Sequence, residues 1–245
     1  MGNLIKAEFF KLKKSTAYRA LLIIYLVIEA VIQINNIGNS VAYPKYNPTY
    51  TGMEWLLNRH ATLGVPLNYM IVVFLFTAIY VNGDFTTHTF YSALLCGLTR
   101  KNAFWAKIIS LFAGTIPPML VSSLTGTVLW SIHSGFGMDF GTEAVFLIAT
   151  VFAKQILMTL MLVSHAVFFS VITKSKTGAF LLGFATLYVF GVLRGNIENI
   201  IKIPALSKIL LFLLSLFYLN IGTILASVLL KLLAARYIFE KNDLK

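Results

Sequence analysis

The sequence predicts an all-α membrane protein built from six transmembrane helices. Of its 245 residues, 58% are hydrophobic and only 12% are charged, with a mean hydropathy of +0.81, whereas soluble domains carry about 25% charged residues. Six apolar segments are each near the roughly 17 to 25 residues that a spanning helix needs. Most lysines and arginines lie at the ends of these segments, as they do in membrane proteins.

Charge and cysteine content exclude several other classes of protein. A net charge of +11 would suggest a nucleic-acid partner for a soluble protein, but basic residues that flank apolar segments orient helices in a bilayer. We therefore expect no nucleic-acid binding. The single cysteine, Cys96, excludes an internal disulfide, and the four histidines show no metal-ligand spacing. No metal site is expected.

Residues 1–15 predict an interfacial helix. Ile5, Phe9 and Leu12 form one stripe at helical spacing, and lysines occupy most of the remaining surface. Such a helix lies on the anionic inner leaflet with its lysines reaching the head groups; an ordinary basic flank of the first span is the alternative. The apolar run that follows is too long for a signal peptide, so we interpret it as a retained first span.

The six predicted spans cover most of the remaining chain. They lie at about residues 17–34, 65–81, 108–130, 144–172, 178–193 and 209–233. The fourth is longer than a span requires and is expected to tilt or to begin outside the membrane. With the N-terminus inside, most of the twenty lysines and arginines face the cytoplasm. This asymmetry places both termini on the cytoplasmic side.

Two predicted outer loops differ in character. Residues 35–64 are rich in tyrosine, proline and asparagine, and a short interfacial helix is expected around Trp55 to Leu57. Residues 194–208 stay apolar between charges and are expected to dip into the outer leaflet as a re-entrant segment. Because no repeat or low-complexity tract interrupts the chain, residues 1–245 are expected to form a single transmembrane domain.

The connection between spans two and three predicts a short two-faced helix over residues 86–97. Its bulky stripe contains Phe90, Tyr91, Leu94 and Leu95, and its small face contains Thr89, Ser92, Ala93 and Cys96. Gly97 favours a left-handed helix stop, and Thr99 is a suitable cap for a new helix that begins at "RKNAFWAK" and runs into span three. A face of small residues suits docking into a groove on a partner protein.

Few residues inside the spans are functional candidates. Glu29 and Lys154 lie at similar predicted depths, and ionisable groups within spans usually face the bundle interior or a cavity. An ion pair between them is one interpretation, and separate extension of each toward the head groups is the other. Pro117 and Pro118 lack the N–H that the helical ladder needs. They predict a kink that serves either gating or packing.

No nucleotide-binding or catalytic motif occurs in the sequence. The patterns GxxxxGK[ST], HExxH and GxSxG are all missing. An intramembrane enzyme would need a cluster of His, Glu, Asp or Ser within the spans, which this sequence does not show. A secondary transporter would be expected to show inverted repeats and broken helices. Both stay as alternative interpretations.

The stretch "NGDFTTHTFYSALLCGLTRKNAFWAK", taken with the six-span pattern, resembles the permease subunits of bacterial ABC-2 type exporters. These include the six-span bacitracin and lantibiotic self-protection transporters. Such permeases carry a cytoplasmic coupling helix at this position, followed by a basic entry to span three. The resemblance implies an ABC-2, type V exporter-like fold with the coupling helix over residues 86–97. It also implies that an ATPase contacts Thr89, Phe90, Ser92, Ala93, Leu94, Cys96 and Arg100.

The function implied by this resemblance is that of a permease subunit in an ATP-driven exporter of the bacterial plasma membrane. The chain would move an amphipathic substrate, such as an antimicrobial peptide or a lipid-like molecule, without itself being an enzyme. It would bind no cofactor, because ATP and Mg belong to the partner ATPase. The expected partners are ABC ATPase subunits, a second permease copy or a paralogous permease, and membrane lipids.

Overall fold

A computed structural model of the chain describes residues 2–45, 47–61, 67–87, 99–139, 141–200 and 221–241. Every regular element in these ranges is an α-helix, as predicted. The described helices are α1 (Gly2–Lys14), α2 (Thr16–Ala42), α3 (Gly52–Ala61), α4 (Leu67–Thr86), α5 (Arg100–Ser134), α6 (Thr142–Thr173), α7 (Lys176–Ile200) and α8 (Ile221–Lys241).

Five of the described helices are long and apolar enough to cross a membrane, which supports the predicted multi-pass membrane protein. They are α2, α4, α5, α6 and the Gly222–Lys241 part of α8. Each overlaps a predicted span, and residues 209–220 of the last predicted span lie outside the described residues. The remaining predicted span lies in α7, whose apolar part, Lys176–Val189, is shorter than the other five.

Two shorter predicted elements also have counterparts among the helices. α1 covers the predicted interfacial helix, and α3 covers the helix expected around Trp55 to Leu57. The predicted re-entrant segment, residues 194–208, is described only in part. Its residues 194–200 continue α7 as helix, and residues 201–208 lie outside the described residues.

Side-chain caps set the start of α2 and of α5. Ser15 separates α1 from α2 in an extended conformation, and its Oγ accepts from the Tyr18 N–H at 3.2 Å. Thr99 Oγ1 accepts from the Asn102 N–H at 3.3 Å, which confirms the predicted cap of α5. In both cases the side-chain oxygen satisfies a backbone donor that the first helical turn leaves unbonded.

Helix α5 continues unbroken through Pro117 and Pro118. Because Pro118 has no N–H, the carbonyl of Gly114, four residues earlier, loses its helical donor. The Tyr18 hydroxyl of α2 donates to that carbonyl at 2.7 Å. Membrane helices tolerate proline when a neighbouring helix supplies such a replacement. The structure thus gives the Gly114 carbonyl a hydrogen-bond donor on α2, and a role of the prolines in gating stays a prediction.

Contacts divide the chain into two compact units. The first comprises Met1–Glu8, Val73–Leu111 and Leu160–Lys245, and the second comprises Phe9–Val72 and Phe112–Thr159. Four helices, α1, α4, α5 and α6, contribute residues to both units. The expectation of a single transmembrane domain therefore stays a prediction.

A hydrophobic cluster forms a core within the second unit. It consists of Met53, Trp55, Leu56, Trp130 and Val151. The Met53 N–H donates to the Phe136 carbonyl at 3.0 Å, which fixes the start of α3. Gly126 allows Trp55 to approach α5 closely, because a Cβ at that position would lie 2.3 Å from the indole ring. The helix predicted around Trp55 to Leu57 is therefore a packed part of this unit.

Candidate functional site

Three charged side chains meet where α1, α4 and α5 contribute to the first unit. Lys107 is 2% exposed and Asp84 is 4% exposed. The Lys107 ammonium donates to Asp84 Oδ2 at 2.5 Å and to Glu8 Oε2 at 3.1 Å. Both are charge-assisted hydrogen bonds, the stronger kind in proteins. Together with Tyr80 and Ser110, these three residues are called the ion cluster below.

Tyr80 contributes both its hydroxyl and its ring to the ion cluster. The hydroxyl donates to Glu8 Oε2 at 2.6 Å and lies 2.9 Å from the Ser110 hydroxyl. Lys107 Nζ lies 3.5 Å from the centroid of the Tyr80 ring, where the electron-rich face of the ring attracts a cation. The lysine is thus enclosed by two carboxylates and an aromatic face.

Helical spacing explains how the sequence assembles the ion cluster. Tyr80 and Asp84 are four residues apart and share one face of α4, while Lys107 and Ser110 are three residues apart and share one face of α5. Glu8 is the one acidic residue in the sequence of α1. Each of the three helices therefore contributes its polar group from a single face.

The burial of these charges favours keeping them together. Taking an ion out of water costs several kcal/mol, and attraction to its partners offsets this cost only while the geometry is maintained. Removing one partner from a buried pair strands the other charge and typically costs about 3–5 kcal/mol. The ion cluster therefore fixes the contributing parts of α1, α4 and α5 with respect to one another.

A second group of contacts joins α8 to α4 and α5. The Arg100 guanidinium donates through Nη1 to the Glu240 carbonyl at 2.7 Å. This carbonyl belongs to the last turn of α8, which lacks helical donors. The ring centroid of Phe239 lies 6.0 Å from that of Phe85 and 5.6 Å from that of Phe104. Helix α8 therefore contacts the end of α4 and the start of α5.

Residues 88–98, called the connector below, lie outside the described residues. The flanks of the connector, which are the end of α4 and the start of α5, belong to this site. Asp84 and Phe85 precede the connector, and Arg100 and Lys107 follow it. The Asp84–Lys107 pair joins the two flanks, and α1 and α8 attach to the same two helices. This arrangement suits mechanical transmission, because any force on the connector reaches four helices through directional contacts.

The described residues place one predicted ATPase-contacting side chain in this site. Arg100 was predicted to face an ATPase, and it is half-buried with its guanidinium bonded to α8. The other predicted contacts lie in the connector, outside the described residues: Thr89, Phe90, Ser92, Ala93, Leu94 and Cys96. Their role stays a prediction. Across the ranges that the structure covers, no group of three or more His, Cys, Asp or Glu residues is arranged to hold a metal ion.

Glu29 and Lys154 are not brought together. Glu29 is fully buried in the second unit, and its carboxylate accepts from Gln33 Nε2 at 2.9 Å and from Asn68 Nδ2. Lys154 lies on α6 with its side chain exposed. Amide donors on α2 and α4 thus contact the carboxylate, and the rotation of α6 turns the lysine to the surface. The similar predicted depths of Glu29 and Lys154 contain no information on the rotation of α6 about its own axis.

Sequence reasoning missed the central members of the site. Lys107 was counted as one more basic residue on the cytoplasmic side, and Asp84 only as part of a family-like stretch. A signal was available: Glu8 is a single acid among the lysines of α1, and Asp84 follows the apolar run 65–81 by only three residues. An isolated acid in apolar or basic surroundings is expected to pair with a cation, because burying an unpaired charge is costly.

The chain matches no protein-family model and no curated protein.

Proposed function

We propose that this chain is the transmembrane permease subunit of an ATP-driven exporter of the ABC-2 type. The proposal starts from the resemblance of the connector and its flanks to such permeases. The observation that carries it is the Asp84–Lys107 pair, which joins the two flanks of the connector at 2.5 Å. If a segment receives force from a partner subunit, the two helices that flank it must move together for the force to be transmitted.

The proposed mechanism follows from the contacts of the flanks. An ATPase subunit docks on the connector and displaces it when nucleotide binds. Because Asp84 and Lys107 are buried and paired, α4 and α5 respond together. Glu8 passes the displacement to α1, and Phe239 passes it to α8. Hydrolysis takes place on the ATPase, and this chain supplies the pathway and the transmission.

The length of α5 supports a site at the membrane surface. Its 35 residues extend about 52 Å at 1.5 Å per residue, against a hydrocarbon layer of ~30 Å. Both ends therefore extend beyond the apolar layer in an upright helix. Lys107 lies about 10 Å from the start of α5, near the interface, where a cytoplasmic ATPase can act on the connector.

The proposed membrane arrangement follows the distribution of charge. Both termini face the cytoplasm, α7 is the fifth of six spans, and the bacterial plasma membrane holds the protein. Two permease chains, identical or paralogous, enclose the pathway. The substrate is an amphipathic molecule, such as an antimicrobial peptide or a lipid-like compound.

Affinity purification in mild detergent tests this function. A tagged copy expressed in the source cells should copurify with a subunit that carries GxxxxGK[ST], and the complex should hydrolyse ATP. Cys96→Trp should lower the rate of ATP hydrolysis that copurifies with the tagged chain at least about tenfold, since it adds bulk to a face of small residues. The matched control is Lys176→Trp, a substitution at the exposed first residue of α7, which should leave hydrolysis unchanged.

Two other outcomes would replace the proposal. Substrate movement driven by an ion gradient in vesicles that contain this chain alone would identify a secondary transporter. Covalent change of a lipid or peptide by the purified chain would identify an intramembrane enzyme.

A further inference from the structure

Helix α8 carries a lysine, Lys231, on the face that packs within the first unit. Ile224, Ser227, Val228 and Ala235 are buried, and their spacing places them on the same face of the helix as Lys231. Lys231 itself is half-buried. Its charge therefore lies on the packed side of an apolar helix, where a membrane protein rarely places one.

Two ring contacts show that Lys231 lies close to the level of His165 on α6. The His165 ring lies 6.0 Å from the ring of Phe74, and the ring of Phe85, at the other end of α4, lies 6.0 Å from that of Phe239. At 1.5 Å per residue, Phe74 and Phe85 are about 16 Å apart along α4. Lys231 and Phe239 are about 12 Å apart along α8. The Lys231 side chain tilts toward the start of α8, and it acts electrostatically on His165.

The His165 ring that faces Lys231 is buried and uncharged. His165 is 8% exposed, and its Nε2 lies 2.8 Å from Thr186 Oγ1 on α7. The Thr186 hydroxyl donates to the Leu182 carbonyl at 2.8 Å, so its oxygen accepts from the Nε2–H of His165. Nδ1 has no hydrogen-bond partner among the described residues. A bare Nδ1 is the favourable state, because an unpaired buried charge is costly.

No described acid balances the charge of Lys231. The ion pairs within the described ranges involve Lys107 and Arg236, and none of the described carboxylates acts on Lys231. The tilt of its side chain also directs the stem away from the Lys241 end of α8, where the nearer head groups lie in the proposed arrangement. Lys231 is therefore neither a paired structural lysine nor one that extends to the head groups beside it.

We propose that Lys231 binds the anionic head group of an amphiphile on the surface of α8. Its ammonium has three N–H donors, which form charge-assisted hydrogen bonds with phosphate or carboxylate oxygens, and apolar surroundings strengthen the attraction. Leu229, Leu230 and Leu233 are exposed on the adjoining face and provide an apolar surface for the acyl chain. The inference deepens the proposed function, on which it rests only for the assignment of this amphiphile as the exported substrate.

Binding to the purified full-length chain, without any ATPase, tests the site. Native mass spectrometry in a neutral detergent measures the affinity for lysophosphatidylglycerol and for lysophosphatidylcholine, whose choline offsets the phosphate charge. Wild type should prefer lysophosphatidylglycerol at least about tenfold, as expected for one hydrogen bond to a charged group. Lys231→Met should reduce this preference to less than about twofold.

Matched variants separate binding by Lys231 from general attraction to a basic protein. Lys231→Arg keeps the charge and should keep the preference. Lys154→Met removes an exposed lysine of α6 and should also keep it. Lys231→Met should unfold in an SDS titration at or above the wild-type midpoint, because its loss strands no partner.

A second probe distinguishes the two sources of an anionic head group. N-lauroylglycine presents a carboxylate, and its competition with lysophosphatidylglycerol in wild type but not in Lys231→Met would extend the site from phosphate to carboxylate amphiphiles.

Four results would overturn the site. They are a wild-type preference below about twofold, a preference that survives Lys231→Met, a preference that is lost in either control, and a lowered unfolding midpoint of Lys231→Met. Because no ATPase is present, failure of an ATPase to copurify with the tagged chain would overturn the proposed function and leave this site in place.

Discussion

Two lysines in apolar helices, Lys107 at the start of α5 and Lys154 in the first half of α6, have opposite environments. Lys107 is enclosed by Asp84, Glu8 and the ring of Tyr80. Lys154 is exposed. Both interrupt apolar sequence, and one of the two interpretations of the sequence gave Lys154 the ion-paired role that Lys107 fills.

The difference shows that location within an apolar run does not by itself define a functional charge. A lysine has a long flexible stem and can carry its charge to the head groups when its helix face is open. It becomes structural when acids on other helices converge on it and water is excluded. The partners of a lysine therefore decide its role, and depth in the membrane does not.

The largest expected effect separates the two lysines directly. Lys107→Met should lower the free energy of unfolding by about 3–5 kcal/mol, because Asp84 is left buried without its cation. Lys154→Met should lower it by no more than ~0.5 kcal/mol, as expected for an exposed site. Unfolding in an SDS titration followed by circular dichroism measures both. Equal losses of unfolding free energy in the two variants would contradict the distinction between a buried, paired Lys107 and an exposed Lys154.

A smaller effect tests the same reasoning on a neutral group. Tyr18→Phe should cost about 1–2 kcal/mol, because the Gly114 carbonyl loses the donor that replaces the missing N–H of Pro118. In a Pro118→Ala background that N–H is restored, so Tyr18→Phe should cost at most ~0.5 kcal/mol. The same titration of the four proteins measures this coupling. Equal costs in both backgrounds would show that the hydroxyl does not compensate for the proline.

The smallest effect concerns an exposed charge outside the spans. Glu54 accepts from the backbone N–H and the hydroxyl of Thr51, at 2.9 and 3.0 Å, and these bonds hold its pKa below the ordinary value of 4.5. A lowered pKa in the folded state adds stability above pH 4.5 that is lost as the pH falls through the folded value. The unfolding midpoint of wild type should therefore exceed that of Glu54→Gln slightly at neutral pH.

The same pair of proteins provides the control for this effect. The midpoints of wild type and Glu54→Gln should converge at acid pH, below the folded-state pKa of Glu54, where the carboxyl group is protonated. A difference that persists unchanged at acid pH would assign the effect to side-chain shape and not to charge.

Features encoded over a few neighbouring residues were predictable from the sequence. The cap at Thr99, the helix around Trp55 and a helix over most of residues 1–15 follow from local patterns, and the structure contains each of them. The interfacial location of the first helix stays a prediction. Five predicted spans coincide with long apolar helices for the same reason. Composition and periodicity act locally, so a single sequence contains this information.

Pairings between distant residues were not predictable in this way. Glu8 and Lys107 are 99 residues apart in sequence, and no local pattern fixes the rotation of α1 against α5. The same lack of rotational information left the pairing of Glu29 with Lys154 open. The Tyr18 hydroxyl, 96 residues from the carbonyl it serves, illustrates the point for a neutral bond.

The central claim is that Asp84 and Lys107 act as one unit across the connector. The most direct test is a double-mutant cycle on the free energy of unfolding, with Asp84→Asn, Lys107→Met and both together. The account predicts that the double variant loses less than the sum of the single losses by about 1–3 kcal/mol, since each single change strands the other charge. Losses that add within ~0.3 kcal/mol would contradict it.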